Sequence, residues 1–114
     1  MAKAFDRGDI VHLNCDPSAG HEMSGWHYAL VISPRDFNRL GLHLVCPISQ
    51  GPAYQARNAG FLVTLMGAGT EVQGNIHVHQ VRSLDLAARD VRFKERAPRE
   101  IVEEVLDILT AVLV

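Results

Sequence analysis

The sequence has few cysteines and no long hydrophobic segment, and both absences narrow the class of protein. Its longest strictly apolar runs have four residues, as at Ala29–Ile32, whereas a membrane-spanning helix needs about 20. The first residues form no apolar stretch typical of a signal peptide, so we expect a cytoplasmic protein. Cys15 and Cys46 lie far apart and outside any CxxC motif, so we expect two free thiols.

An excess of one charge sign is also lacking. The chain has 11 Lys and Arg against 13 Asp and Glu, a net charge of -2, which is not typical of proteins that coat nucleic acid electrostatically. Six basic residues nevertheless fall in the last third: Arg82, Arg89, Arg92, Lys94, Arg96 and Arg99. Such a run usually forms a solvated surface. A patch that faces RNA is the more specific and less common alternative. Composition therefore neither requires nor excludes an RNA substrate.

What is present is enough hydrophobic sequence for one folded domain. The 114 residues are 47% hydrophobic, which favours a single globular domain over residues 1–114. Apolar β-prone segments bounded by polar turns predict strands at Gly8–Leu13, His27–Ser33, Leu42–Ile48 and Phe61–Leu65, with one or two more in Asn75–Leu84. A short helical turn follows Pro34. Polar loops separate the strands at 16–25 and 49–60, and we expect the first to be mobile.

The C-terminus has a different periodicity. Pro98 can occupy the first turn of a helix. Apolar side chains then recur at spacings of three and four: Ile101, Val105, Ile108, Leu109 and Val112. This pattern predicts an amphipathic helix of about 15 residues. Short strands followed by a terminal helix predict an α+β fold, a small, strongly bent antiparallel sheet or barrel with helices packed on it.

Short motifs also occur in a recognisable order along the chain. They are Arg7–Val11, Asp16-Pro17-x-x-Gly20-His21-Glu22, Ala29–Pro34, Phe37-Asn38, Val45–Gly51, Arg57-x-Ala59-Gly60-Phe61 and Gln80–Asp85. Each motif is weak alone, but the ordered set resembles the MazF/PemK/ChpB family of type II toxin–antitoxin toxins. The resemblance spans nearly the whole chain and is strongest to the ChpB and PemK members.

Several expectations follow from this resemblance alone. It implies an SH3-like barrel of the PemK/CcdB type, a homodimer, and growth inhibition by sequence-selective cleavage of single-stranded RNA without a metal or other cofactor. It also implies neutralisation by a MazE/PemI/ChpS-like antitoxin, with operator DNA reached only through the antitoxin complex, and no membrane partner.

One departure from the family pattern concerns catalysis. Family members carry Gly-x-Arg-Pro before the second strand, whereas this chain has Gly25-Trp26-His27-Tyr28. His27 thus stands where the catalytic Arg is expected, and Ser49 retains the hydroxyl of the family's Thr. An imidazole can stabilise charge and also transfer a proton near neutral pH. Glu22 matches a family loop residue, and either orients His27, acts as a base, or is simply solvated.

The other candidates are assigned to RNA contact. His77 and His79 are two apart on a predicted strand, so they face the same side. They either line the RNA groove, bind zinc, or occupy ordinary strand positions. Trp26, Tyr28 and Tyr54 offer stacking surfaces for bases, or else core packing. Family-matching positions add polar contacts: Gln50, Arg57, Gln80 and Arg82.

A second function class stays open from the sequence. The missing Arg is compatible with a non-catalytic binding protein of the same fold, directed at gyrase or binding only antitoxin and operator. The matches at Ser49, Gln50 and Arg57 favour the endoribonuclease.

Overall fold

The computed structural model describes residues 4–50 and 60–114, which form an α+β fold built on one antiparallel sheet. The elements are β1 Asp9–Asn14, β2 Trp26–Val31, α1 Arg35–Asn38, β3 His43–Ser49, β4 Leu62–Thr64, β5 Asn75–His77, β6 Arg82–Leu84, β7 Arg92–Arg96 and α2 Arg99–Leu113. Short 3₁₀ turns cover Val78–Gln80 and Ala87–Arg89. The fold class and most of the predicted elements are confirmed.

The sheet has the order β4-β5-β3-β2-β1-β7, and β6 pairs with the first half of β3. Strand β3 is central because β5 pairs with its last two residues and β6 with its first three, while β2 covers its other edge. This arrangement brings the end of β3, the start of β2 and the start of β5 together at one end of the sheet.

Alternating side chains bury both faces of the sheet. Ile10, Leu30, Cys46 and Ile48 pack on one face, where Ile101, Val102 and Val105 of α2 cover them. Val11, Leu13, Ala29, Val31 and Val45 point to the other face, where the segment around Leu84 and Leu86 covers them. Strands buried on both faces explain the near-continuous apolar segments in β2 and β3.

Strand β7 was not predicted. Its sequence, Arg-Phe-Lys-Glu-Arg, is charged at four of five positions, a composition that is usual for a solvated basic surface. It pairs with β1 and forms the edge strand of the sheet, where most of its side chains are exposed. A strand whose side chains are mostly exposed on both faces lacks the hydrophobic alternation that marks a half-buried strand.

Both cysteines are buried free thiols, as predicted. Burial raises the pKa of Cys46 to about 12, so its thiol stays protonated and unreactive. Neither helix of the described part has the length and apolar character needed to cross a membrane.

Candidate active site

A cavity of about 710 Å³ opens at the end of the sheet where β2, β3 and β5 meet. Its size suits a small ligand or a short stretch of a polymer. Its wall contains predicted site residues from three separate segments, together with loop residues between β1 and β2: Gly20, His21, Glu22, Met23, Ser24, His27, Ser49, His77, His79 and Gln80. The structure thus brings both proposed catalytic partners, His27 and Ser49, to one cavity with the histidine pair.

Strand register places these side chains together. Tyr28 pairs with Ile48, so the next residues outward, His27 and Ser49, lie side by side on adjacent strands and on the same face. Ser49 also pairs with Asn75 across β3 and β5, which makes His77 its diagonal neighbour. Gly74 allows this close pairing, since a Cβ there would lie 2.1 Å from the Ser49 carbonyl oxygen.

Ser49 and His77 form the buried centre of the cavity wall. Ser49 Oγ and His77 Nε2 are 2.7 Å apart, and the two residues are only 4% and 2% exposed. Burial, with smaller contributions from the neighbouring His79 and His27, lowers the pKa of His77 to about 4. His77 is therefore a neutral imidazole near pH 7, and it fixes the orientation of the Ser49 hydroxyl.

His27 is oriented by a backbone carbonyl. Its Nε2 lies 2.8 Å from the carbonyl oxygen of Ser24. Because a carbonyl oxygen only accepts, Nε2 carries a hydrogen, and in the neutral ring Nδ1 is the nitrogen left to accept a proton. This contact comes from the loop itself, so the loop conformation determines which nitrogen of His27 is available for chemistry.

His79 lies beside His77 in the same wall. The two ring centroids are 5.5 Å apart, although His79 belongs to the 3₁₀ turn and not to a strand. Both rings line the same cavity, but the predicted strand ends at His77 and does not carry His79. His79 is exposed, in contrast to its buried neighbour. In the described ranges, no group of three His, Cys, Asp or Glu side chains is arranged to hold a metal ion.

Glu22 lines the cavity but is engaged within its own loop. Its Oε1 accepts a hydrogen bond of 2.8 Å from the backbone N–H of Ala19. Next to it, the backbone N–H of Met23 donates to Gln80 Oε1, also at 2.8 Å. Gln80 therefore links the loop to the 3₁₀ turn that carries His79. The role of Glu22 as a base stays a prediction.

The stem of the loop is held by two arginines. Arg82 donates to the carbonyl oxygens of Cys15 and Pro17, at 3.0 and 3.3 Å, and Arg89 donates to those of Asn14 and Asp16, at 3.2 and 2.7 Å. Arg82 also borders a smaller adjoining cavity of about 320 Å³. These guanidinium groups fix the base of the loop, a role that the sequence did not reveal because the partners are more than 60 residues apart. The mobility of the loop tip stays a prediction.

The aromatic candidates lie elsewhere. Trp26 and Tyr28 flank His27 along β2, and alternation turns both to the opposite face of the sheet, against His12. Neither belongs to the cavity wall. Gln50 is exposed just after Ser49. Arg57 and Tyr54 lie outside the described residues.

Comparison with known proteins agrees with this geometry. Residues 6–113 match the family model described as PemK-like, MazF-like toxin of type II toxin-antitoxin system. The chain belongs to this family. It is 47% identical over 110 residues to the endoribonuclease toxin ChpB of Escherichia coli strain K12, covering 96% of this chain and 94% of ChpB.

Solved structures give the same result. The crystal structure of MazF from Deinococcus radiodurans superimposes with a TM-score of 0.85 at 35% identity, covering 98% of both chains. A MazE-MazF crystal structure from the same organism matches with a TM-score of 0.78 at 35% identity, covering 98% of this chain and 97% of that one. The family resemblance inferred from the ordered motifs is thereby confirmed.

Proposed function

We propose that the chain is a metal-independent endoribonuclease that cuts single-stranded RNA and acts as the toxin of a type II toxin–antitoxin pair. The observation that carries this proposal is the cavity in which His27 and His79 lie beside the buried Ser49–His77 hydrogen bond of 2.7 Å. The names of its relatives, including the endoribonuclease toxin ChpB, support the activity.

The reaction needs two proton transfers. The 2′-oxygen attacks the adjacent phosphorus while its proton passes to a base, and the bond from phosphorus to the 5′-oxygen breaks as an acid protonates that oxygen. The products carry a 2′,3′-cyclic phosphate and a 5′-hydroxyl. We assign these transfers to His27, through Nδ1, and to His79, because both imidazoles line the cavity.

Ser49 contributes a hydrogen bond to the phosphate. When His77 Nε2 carries its hydrogen, it donates to Ser49 Oγ, which leaves the Ser49 hydroxyl hydrogen for a phosphate oxygen. A donor held in place before the reaction stabilises charge that develops in the transition state. His77 in this scheme is a positioning residue, since its low pKa keeps it neutral through the reaction.

The test is RNA cleavage by the pure protein in EDTA. A long unstructured RNA should be cut at a small set of sites, giving fragments with cyclic phosphate ends that mass spectrometry can identify. A Ser49→Ala variant, confirmed as folded by circular dichroism, is the matched control for a contaminating nuclease. Intact RNA at micromolar protein, or activity that appears only with added metal, would contradict the proposal and favour a non-catalytic binding protein.

We further propose that one toxin domain spans the chain and that it works as a homodimer in the cytoplasm with a MazE/PemI/ChpS-like antitoxin. The family match over residues 6–113 and the MazE-MazF relative support the domain and the antitoxin. One cavity of about 710 Å³ holds only a short part of an RNA strand, and a second copy would extend the groove.

The dimer has a direct test. Light scattering at micromolar concentration should give about 25 kDa, twice the 12.6 kDa of one chain, as expected of a closed two-fold pair. A stable mass of one chain over this concentration range would contradict the dimer without affecting the cleavage proposal.

A further inference from the structure

An aromatic cluster lies on the face of the sheet opposite the cavity. The Trp26 ring stacks on His12, with centroids 5.5 Å apart and an angle of 23° between the rings. Tyr28 contacts the same imidazole, with centroids 4.8 Å apart. His12 therefore supports the indole from beneath and fixes its orientation.

The indole remains open on its other side. Trp26 is 51% exposed, as expected of a ring with one face covered and one face in solvent. Large exposed aromatic side chains are depleted from ordinary protein surface and are enriched at binding sites. A supported, half-exposed indole is a preformed platform on which another flat ring can stack.

A basic side chain completes this surface. His12 pairs with Tyr28 on one side and with Arg92 of β7 on the other, so the three residues form a row across three strands on one face. Arg92 is exposed and forms no ion pair within residues 4–50 and 60–114. Its neighbour on the same strand, Lys94, is instead held by Glu71 at 2.7 Å. We call Trp26, His12, Tyr28 and Arg92 the Trp26 patch.

The Trp26 patch begins one residue from the cavity, because Trp26 directly precedes His27 on β2. We propose that it is a subsite for an unpaired nucleotide flanking the cleaved phosphate, with the base stacked on the indole and a phosphate beside Arg92. This inference rests on the proposed RNA cleavage. The bound RNA would continue from the cavity over the start of β2 to the opposite face of the sheet.

The chemistry of the patch favours a nucleotide over a protein segment. An aromatic platform next to a cation that forms no ion pair among the described residues matches the two parts of a nucleotide, a flat base and an anionic phosphate. Proteins bind single strands without reading sequence through such pairs of contacts. A docked helix or strand would need a row of apolar side chains, whereas His12 and Arg92 make half of this patch polar.

The experiment uses the fluorescence of Trp26, the only tryptophan in the chain. After mapping a cleavage site in EDTA, two RNAs are made with a 2′-deoxy nucleotide at that site: one that fills only the cavity and one extended to about ten nucleotides. The extended RNA should quench the fluorescence and the short one should not. Trp26→Ala should weaken binding of the extended RNA about 10-fold and of the short RNA less than 2-fold.

Arg92 has an independent readout. Arg92→Gln should reduce the slope of log affinity against log salt for the extended RNA by about 0.7, the value for one phosphate contact on a single strand. Phe37→Ala, at an exposed aromatic on α1, and Arg39→Gln, at an exposed cation just after α1, are controls that should change neither measurement.

Two failures are distinguishable. If the wild-type protein cleaves no RNA, the proposed function and this subsite fail together. If it cleaves RNA while Trp26→Ala weakens both oligonucleotides equally or not at all, the subsite alone is wrong. Quenching by the antitoxin but not by the extended RNA would also overturn it.

Discussion

Replacing His27 by alanine is expected to lower kcat/KM for RNA cleavage by roughly 10²–10⁴-fold, the range for losing one general acid or base. The loss follows from the position of His27, which lies next to Ser49 across the β2–β3 pair and has Nε2 held by the Ser24 carbonyl. The RNA affinity should change little, because the role assigned to His27 is proton transfer and not RNA binding.

His27→Arg separates proton transfer from charge stabilisation. An arginine restores the residue type of the family and stabilises phosphate charge, but it stays protonated at all working pH values. Assayed between pH 5 and 9 on one RNA, His27→Arg should have a flatter pH profile than the wild type. Ser49→Ala, by contrast, should lower the rate and keep the shape of the pH profile.

Full activity in His27→Ala would end this assignment and would leave His79 or Glu22 as the source of proton transfer. An unchanged pH profile in His27→Arg would mean that His27 serves only as a cation. Each variant needs the same thermal unfolding midpoint as the wild type, since a displaced loop would lower the rate without any role in proton transfer.

The part of the fold that the sequence predicted is the part with strong periodicity. Helix α2 occupies Arg99–Leu113, close to the predicted span, and two of its three buried residues, Ile101 and Val105, belong to the predicted apolar face. Strand β7 was not predicted because it is held by backbone pairing with β1, which lies more than 70 residues away in the sequence. Its own side chains show no pattern that indicates a strand. Edge strands depend on such pairing more than on their own composition.

The candidate site shows where local patterns suffice. The sequence indicated His27, Ser49, His77, His79 and Gln80, and all of them meet in one cavity. The Ser49–His77 hydrogen bond was not predicted, because it depends on the register of β3 against β5. Strand alternation could have predicted one further feature. Because successive side chains of a strand point to opposite faces, Trp26 and Tyr28 must face away from the cavity if His27 faces into it.

The stability of the protein below neutral pH should depend on His77. Its pKa is lowered from 6.5 to about 4, chiefly by burial, so the unfolded chain binds a proton between these values that the folded chain does not. Stability is therefore complete above about pH 6.5 and falls as the pH drops toward 4. His77 alone should account for a loss of about 2 kcal/mol between pH 7 and pH 5.

Urea unfolding at pH 7 and pH 5, at one protein concentration, measures this loss. His77→Gln keeps a hydrogen-bonding group near Ser49 but cannot titrate, so the pH-dependent loss should shrink by about 2 kcal/mol even if the variant is less stable at both pH values. Burial also lowers the pKa of His43, whose Nε2 accepts the Phe5 N–H, so a smaller dependence should persist. His21→Gln, on the exposed loop, is the matched control and should retain the wild-type loss. If His77→Gln also retained it, His77 would not be the buried neutral imidazole on which the orientation of Ser49 depends.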